Sequence, residues 1–176
     1  MNPAFDFTDI SYLQAGTPLQ QQVYAIVTRH RLLEVLGEYG PILIGSIPIR
    51  VAIADSDIDI SCCYKDAIAF RVHLQTLFGD YPLFRLREGV LNGLLAVIAN
   101  FEAEGVPVEI FGQPIPAKEQ YGYRHMLIEY RVLQERGEGF REQVVALKVQ
   151  GRNTEAAFCE LLGLAGHPFE VLLTLE

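Results

Sequence analysis

The 176-residue chain is 50% hydrophobic and carries a formal net charge of −8, a balance that suits one domain with a substantial core. That charge argues against broad, sequence-independent binding to long DNA or RNA, which needs a cationic surface. No uncharged apolar run reaches the ~18–20 residues that span a bilayer, and the start, Met1-Asn2-Pro3-Ala4-Phe5-Asp6, has no basic and apolar leader pattern. Cys62, Cys63 and Cys159 fit neither a disulfide framework nor a zinc site, so a cytoplasmic protein with reduced thiols is expected.

In chain order, Thr17-Pro18 reads as a helix start, the cap followed by Pro at the first helical position. Leu19, Val23, Ile26, Val27, His30, Leu33 and Leu36 then keep helical spacing to a stop at Tyr39-Gly40-Pro41. His30 is expected to be partly buried on that stripe. Ile42 to Ile44 predict a short buried strand over 42–45, closed by Gly45-Ser46. Pro48 and the β-branched Ile47, Ile49 and Val51 argue against a helix over 46–54. A strand over 56–63 would place Ile58, Ile60 and Cys62 inward.

Asp66 is read as the cap of a helix through 78, with Ala69, Val72, Leu74 and Leu77 facing inward. Strands over 82–88 and 91–101 are expected to join at Gly89-Val90, followed by a strand around Glu109 that ends at Gly112-Gln113-Pro114. Helices follow over about 117–136, 138–149, 154–163 and 168–174. Strands in the middle and helices at the ends predict an α+β protein, a mixed β-sheet flanked by helices with a helical C-terminal part. The expected organisation is a single domain over 1–176, with its core at about 18–113 and C-terminal helices at about 117–176.

Asp57-Ile58-Asp59-Ile60 is the segment richest in chemistry. Residues two apart in a strand share a face, so Asp57 and Asp59 stand together, repel, and raise each other's pKa unless a cation intervenes. Clustered hard oxygens suit Mg²⁺ or Mn²⁺; a solvated acidic strand face is the plainer reading. Gly45 lets backbone approach a ligand, and Ser46 adds a hydroxyl and an N–H for phosphate oxygens, although Gly-Ser after a strand is also an ordinary turn. Glu109 is the one charged residue in an apolar strand-like run, a pattern that an exposed position also explains. Tyr121, His125 and Glu129, spaced i, i+4 and i+8, share a helix face with Arg124 beside them. Arg124 is a candidate phosphate clamp; His125 is a candidate to bond substrate or Glu129, unless it pairs with Glu129 at a helix–sheet contact. Lys65 and Arg50 are further candidates for triphosphate contacts, and solvated charges otherwise. Arg136, Arg141, Lys148 and Arg152 leave room for a local basic groove.

Ile44-Gly45-Ser46, then Asp57-Ile58-Asp59, then Glu109 together resemble the nucleotidyltransferase superfamily, whose fold includes the DNA polymerase beta type enzymes. More closely, the chain from about residue 8 onward resembles a bacterial nucleotidyltransferase-like family of unknown function. The resemblance rests on Tyr12-Leu13-Gln14-Ala15-Gly16, Gly45-Ser46-Ile47-Pro48-Ile49, Ser56-Asp57-Ile58-Asp59-Ile60, Val108-Glu109-Ile110-Phe111-Gly112-Gln113, Tyr123-Arg124-His125-Met126 and Thr154-Glu155-Ala156-Ala157-Phe158. It implies catalytic and metal-binding roles for Asp57, Asp59 and Glu109 with Mg²⁺ (or Mn²⁺), and phosphate contacts at Gly45 and Ser46. It further implies transfer of a nucleoside monophosphate from a nucleoside triphosphate to a hydroxyl acceptor, small or macromolecular. Two departures stand out: no helix is expected after Gly45-Ser46, and Asn153 and Ala156 occupy the places of the Lys and Pro in the family's late Lys-Thr-Glu-Pro stretch. They keep a second class open, a non-catalytic nucleotide- or metal-binding module of the same fold. A third class is an interaction protein with an incidental acidic patch. Base preference and oligomeric state are not encoded in these patterns.

Overall fold

The computed structural model describes residues 5–176; residues 1–4, part of the start expected to carry no leader pattern, lie outside the described residues. The strands are β1 (Ile42–Ile44), β2 (Ile58–Cys63), β3 (Arg85–Leu91), β4 (Leu94–Ala103) and β5 (Val106–Gln113). They form one mixed sheet in the order β1-β2-β5-β4-β3, in which only β2 and β5 run parallel. With helices on both sides, this is the expected α+β fold with a mixed sheet.

Helix α1 (Pro18–Arg29) starts as predicted. Thr17 and Gln20 form a reciprocal capping box, and the Gln20 amide also donates to the carbonyls of Ile47 (2.9 Å) and Pro48 (3.2 Å). The helix does not run unbroken to Leu36. Arg31 takes a left-handed conformation (φ 53°), and the chain restarts as α2 (Leu32–Val35). Tertiary contacts mark the break: Arg29 and His30 both reach Glu104, and His30 also meets the Tyr81 hydroxyl at 2.9 Å. The break shifts the helical phase, so Leu32, rather than Leu33, is fully buried.

Helix α3 (Ala67–Phe78) is capped by Asp66, whose carboxylate accepts from the Ile68 and Ala69 N–H groups. Its buried face is Phe70, Leu74 and Phe78; of the four residues expected to face inward, Leu74 is fully buried while Val72 is 60% exposed. The phenylalanines carry the larger apolar area and take the core positions. The β3–β4 hairpin turns at Asn92-Gly93, with φ of 54° and 75°, rather than at Gly89-Val90. Two consecutive left-handed residues make the tight turn whose twist matches the flanking strands, and Asn-Gly is its sequence signature.

One sheet face is apolar. Ile58, Ile60 and Cys62 of β2, Val108 and Ile110 of β5, and Val97, Ala99 and Phe101 of β4 pack with α1 and α3 in one cluster. Alternation then sends Asp59, Ser61 and Glu109 to the other face. Helices α4 (Tyr121–Arg136), α5 (Glu138–Val149), α6 (Thr154–Leu162) and α7 (Pro168–Val171) build a second cluster with Ile42 and Ile44 of β1. Buried Gln120 joins the layers: it accepts from the Ser61 hydroxyl at 2.6 Å and donates to the carbonyls of Cys62 and Ile115. The start of α4 is thereby fixed against the polar face of β2. Among the described residues no helix is long and apolar enough to cross a membrane.

Candidate active site

Parallel pairing of β2 with β5 places Asp59 directly opposite Glu109, and antiparallel pairing with β1 places it opposite Ile44. Asp57 lies two residues before Asp59, at the entry to β2. Gly45 follows β1 with φ of 83°, a backbone state that favours glycine. It packs so closely that a Cβ built there would overlap Asp59 Oδ2 and lie 3.2 Å from its Cγ. No helix follows Ser46, as expected; 46–50 form turns, held by Gln20 and by Arg141, whose guanidinium donates to the Ile49 carbonyl. Ser46 donates to Ser56 Oγ at 3.3 Å, and Ser56 Oγ accepts from the Ile53 N–H. Gly45, Ser46, Asp57, Asp59 and Glu109 all line one cavity of about 720 Å³.

The electrostatics of this face follow from burial. Desolvation raises the carboxyl of Asp57, and the neighbouring Glu109 raises it further. Asp59 is pushed well above the usual carboxylate range by burial, then by Asp57 and Glu109. Glu109 differs from this pair: Arg87 donates to its Oε2 at 2.9 Å and Asn100 at 3.0 Å. Three carboxylates that crowd one another, two of them desolvated, form a donor set suited in type to a hard divalent cation. Among the described residues no three His, Cys, Asp or Glu side chains are close enough to hold an ion alone. Mg²⁺ is ordinarily held by one or two carboxylates together with substrate phosphates.

Helix α4 brings Tyr121, His125 and Glu129 to the same cavity, as their spacing predicts. His125 is buried, and its polar contacts are with Phe169 and Glu155 rather than with Glu129. Nε2 meets the Phe169 carbonyl at 2.9 Å, and Nδ1 lies 3.6 Å from Glu155 Oε1. Arg124 is not brought in. It grips Glu176 through two hydrogen bonds of 2.6 and 2.7 Å and lines no part of this cavity. Lys65 and Arg50 are exposed away from it, Arg50 lying 3.8 Å from Glu138. The possible basic groove also disperses, since Arg141 braces the 46–50 turns and Arg152 pairs with Glu160.

Lys148 is the member of that group that enters the cavity, and it is only 7% exposed. Burial lowers its pKa, against the opposing pull of Glu129, Glu155, Asp59 and Asp57. No ion pair within 4.0 Å joins it to any of them among the described residues. The sequence signal for Lys148 is its place on the buried stripe of α5, Arg141-Val144-Lys148. Asn153, in place of the expected Lys, caps α6 by accepting from the Ala156 N–H at 2.8 Å, and it also lines the cavity.

Glu129 is 3% exposed and, among the described residues, its Oε1 has no hydrogen-bond partner. Burial, reinforced by Glu155 and opposed by Lys148, raises its pKa well above the ordinary 4.5. A raised carboxyl holds its proton longer in the folded chain than in the unfolded one. Its penalty is therefore absent below pH 4.5 and grows as pH rises toward the folded value. Glu129→Gln should leave the urea midpoint near that of wild type at pH 4 and raise stability at pH 8. The expected gain is about 1–3 kcal/mol, the usual scale for a buried polar group without its partner. An unchanged difference between the two pH values would contradict this placement of the carboxyl.

Residues 25–175 match the family described as "Domain of unknown function (DUF4269)". No curated protein matches the chain. Among solved structures the chain is similar to the Cid1 poly(U) polymerase with MgGTP bound, at 13% identity over 73% of this chain and 41% of that one, with a TM-score of 0.50. The same protein with Mg 3'-dATP bound gives 13% identity, 73% and 40% coverage and a TM-score of 0.50. A Cid1 structure described for its RNA terminal uridylyl transferase activity gives 12%, 73%, 40% and 0.50. At such identities the likeness is one of fold, and the fold is nucleotidyltransferase-like. The chain spans about two fifths of the length of these structures.

Proposed function

We propose that this chain, which belongs to the DUF4269 family, is a metal-dependent nucleotidyltransferase that moves a nucleoside monophosphate from a nucleoside triphosphate to a hydroxyl acceptor. The observation that carries this reading is the register pair Asp59–Glu109, with Asp57 beside it and Gly45 against Asp59, at one cavity. Asp57, Asp59 and Glu109 would hold Mg²⁺ (or Mn²⁺) together with oxygens of the triphosphate, since no three such side chains among the described residues are close enough to hold an ion alone. When bound, the ion supplies charge stabilisation for an in-line displacement at phosphorus. The backbone at Gly45 and the Ser46 hydroxyl, both at the cavity, are suited to the terminal phosphates, without help from a following helix dipole. Lys148, a desolvated cation with no ion-pair partner among the described residues, adds the positive charge that a triphosphate requires. The acceptor oxygen attacks the α-phosphorus, the bond to the β-phosphate oxygen breaks, and pyrophosphate leaves. The acceptor's proton passes to a carboxylate of the acidic group.

Calorimetric titration of each nucleoside triphosphate with Mg²⁺ tests this reading. Binding is expected only with the metal, and Lys148→Gln should weaken it about tenfold, the equivalent of one charge-assisted contact of ~1.4 kcal/mol. Failure of every triphosphate to bind would end the proposal. The grip of Arg87 and Asn100 on Glu109 favours a second reading, a nucleotide- or metal-binding module that does not transfer. Metal-dependent binding without pyrophosphate release would select it.

A further inference from the structure

A second cavity, of about 570 Å³, lies against the 46–50 turns: Pro48, Ile49 and Arg50 line it, whereas Gly45 and Ser46 line the candidate active site. The two cavities share no lining residue. Tyr12, Ala15 and Gly16 also line the second one, so the Tyr12-Leu13-Gln14-Ala15-Gly16 segment, which the proposed chemistry does not use, has its place here. The size falls within the range usual for small-molecule sites, about 300–1,000 Å³.

The charge of this lining is opposite to that of the chain. In a protein of net charge −8, the second cavity is lined by Arg50 and Arg141 and, among the described residues, by no Asp or Glu. Arg141 is only 8% exposed; Nη1 donates to the Ile49 carbonyl, and Nε donates to Glu138 Oε2 at 3.2 Å. Arg50 holds φ of 64°, a costly state for a residue with a side chain, and its Nη2 lies 3.8 Å from Glu138 Oε1. Two guanidinium groups thus converge on the two oxygens of one carboxylate at the cavity edge. Glu138 is itself 60% exposed and lines no part of the cavity, so another carboxylate can take its place. The remaining wall is aromatic: Phe5, Phe7, Tyr12 and Tyr130 line it, with ring centroids of contacting pairs 4.7 to 5.8 Å apart. An ammonium ligand would meet two like charges here. A neutral apolar ligand would desolvate the guanidinium groups without offering them an acceptor. A flat ring that carries a carboxylate matches both walls, since rings pack on aromatic faces and guanidinium groups grip carboxylates through paired donors.

We propose that this second cavity is a binding site for a small aromatic carboxylate, its ring against Phe5, Tyr12 and Tyr130 and its carboxylate between Arg50 and Arg141 in the place of Glu138. The inference stands apart from the nucleotidyltransferase reading, because no residue of this lining takes part in that chemistry. Its position is still close to that site: Gln20 and Arg141, both lining residues, hold the turns that follow Ser46.

The test uses the full chain and three probes followed by ligand-observed NMR: 2-naphthoate, its neutral counterpart 2-naphthamide, and acetate, which has the charge without the ring. 2-Naphthoate should bind at least about tenfold more tightly than either of the others, the scale of one charge-assisted contact. Arg50→Gln should weaken 2-naphthoate by a similar factor. Glu138→Gln should strengthen it, because the variant removes the competing carboxylate. Both side chains are at least half exposed, and a loss of fold would not move two neighbouring variants in opposite directions. Phe5→Ala, at a position 40% exposed, should weaken 2-naphthoate and leave acetate unchanged. No binding of 2-naphthoate, or equal binding of 2-naphthoate and either control, overturns the inference. A Glu138→Gln variant that binds 2-naphthoate more weakly than wild type overturns it as well, since the carboxylate would then lie elsewhere.

Discussion

Asp59→Asn should reduce Mg²⁺-dependent pyrophosphate release by on the order of 10³-fold or more while leaving the protein folded. A metal-centred stabilisation of transition-state charge is worth several kcal/mol, and ~4 kcal/mol corresponds to about 10³ in rate. Asparagine keeps the shape of the side chain and its place opposite Glu109 in the β2–β5 register. What it removes is a negative charge that burial, Asp57 and Glu109 all disfavour. Stability should therefore hold or rise at neutral pH, so a lost activity cannot be assigned to unfolding. Asp57→Asn should follow the same pattern with a smaller gain in stability, because its neighbours disfavour its charge less strongly. The measurement is pyrophosphate release in excess triphosphate and Mg²⁺, paired with urea unfolding of the same samples. Wild-type turnover in either variant would remove these carboxylates from the chemistry.

The parts of this site that were legible in the sequence are those set by local geometry. Period-two alternation is enough to put Asp57 and Asp59 on the face opposite Ile58 and Ile60, and the last two are indeed fully buried. Helical spacing is enough to align Tyr121, His125 and Glu129. The register that sets Asp59 against Glu109 joins residues fifty positions apart through a parallel pairing, and no local pattern encodes it. Long-range partners also decided the positions that read differently. Arg124 is drawn to Glu176, and Glu109 is drawn to Arg87 across the sheet. The end of α1 carries no Gly or Pro; contacts from Arg29 and His30 to Glu104 accompany the break. The Asn92-Gly93 turn is the opposite case, since Asn-Gly is itself a local hairpin signal that stands three residues beyond the competing Gly89. Lys148 was visible only as one more basic residue, because its meaning depends on the acidic walls that α5 faces.

Gly45→Ala should impair the site more than the addition of one methyl group suggests. At φ of 83° an alanine bears backbone strain of about 1–3 kcal/mol. Its Cβ would also overlap Asp59 Oδ2, so the turn or the carboxylate must move. If Asp59 shifts by about 1 Å, misplacement on that scale costs roughly 10²-fold in rate. Mg²⁺-dependent triphosphate binding should fall along with stability. Gly112→Ala separates the two effects. A Cβ there would meet the Phe70 ring on the apolar face, 2.9 Å from Cζ, at a residue paired with Cys62 rather than with either aspartate. Overpacking of that kind typically costs 1–3 kcal/mol, about the same as the strain at Gly45. Folded Gly112→Ala protein should nevertheless keep its triphosphate affinity, because Asp59 and Gly45 are untouched. If both variants lose binding in proportion to their loss of stability, the tight contact at Gly45 is a packing feature. If only Gly45→Ala loses it, that glycine is there to let the chain pass beside the carboxylate that the reaction requires.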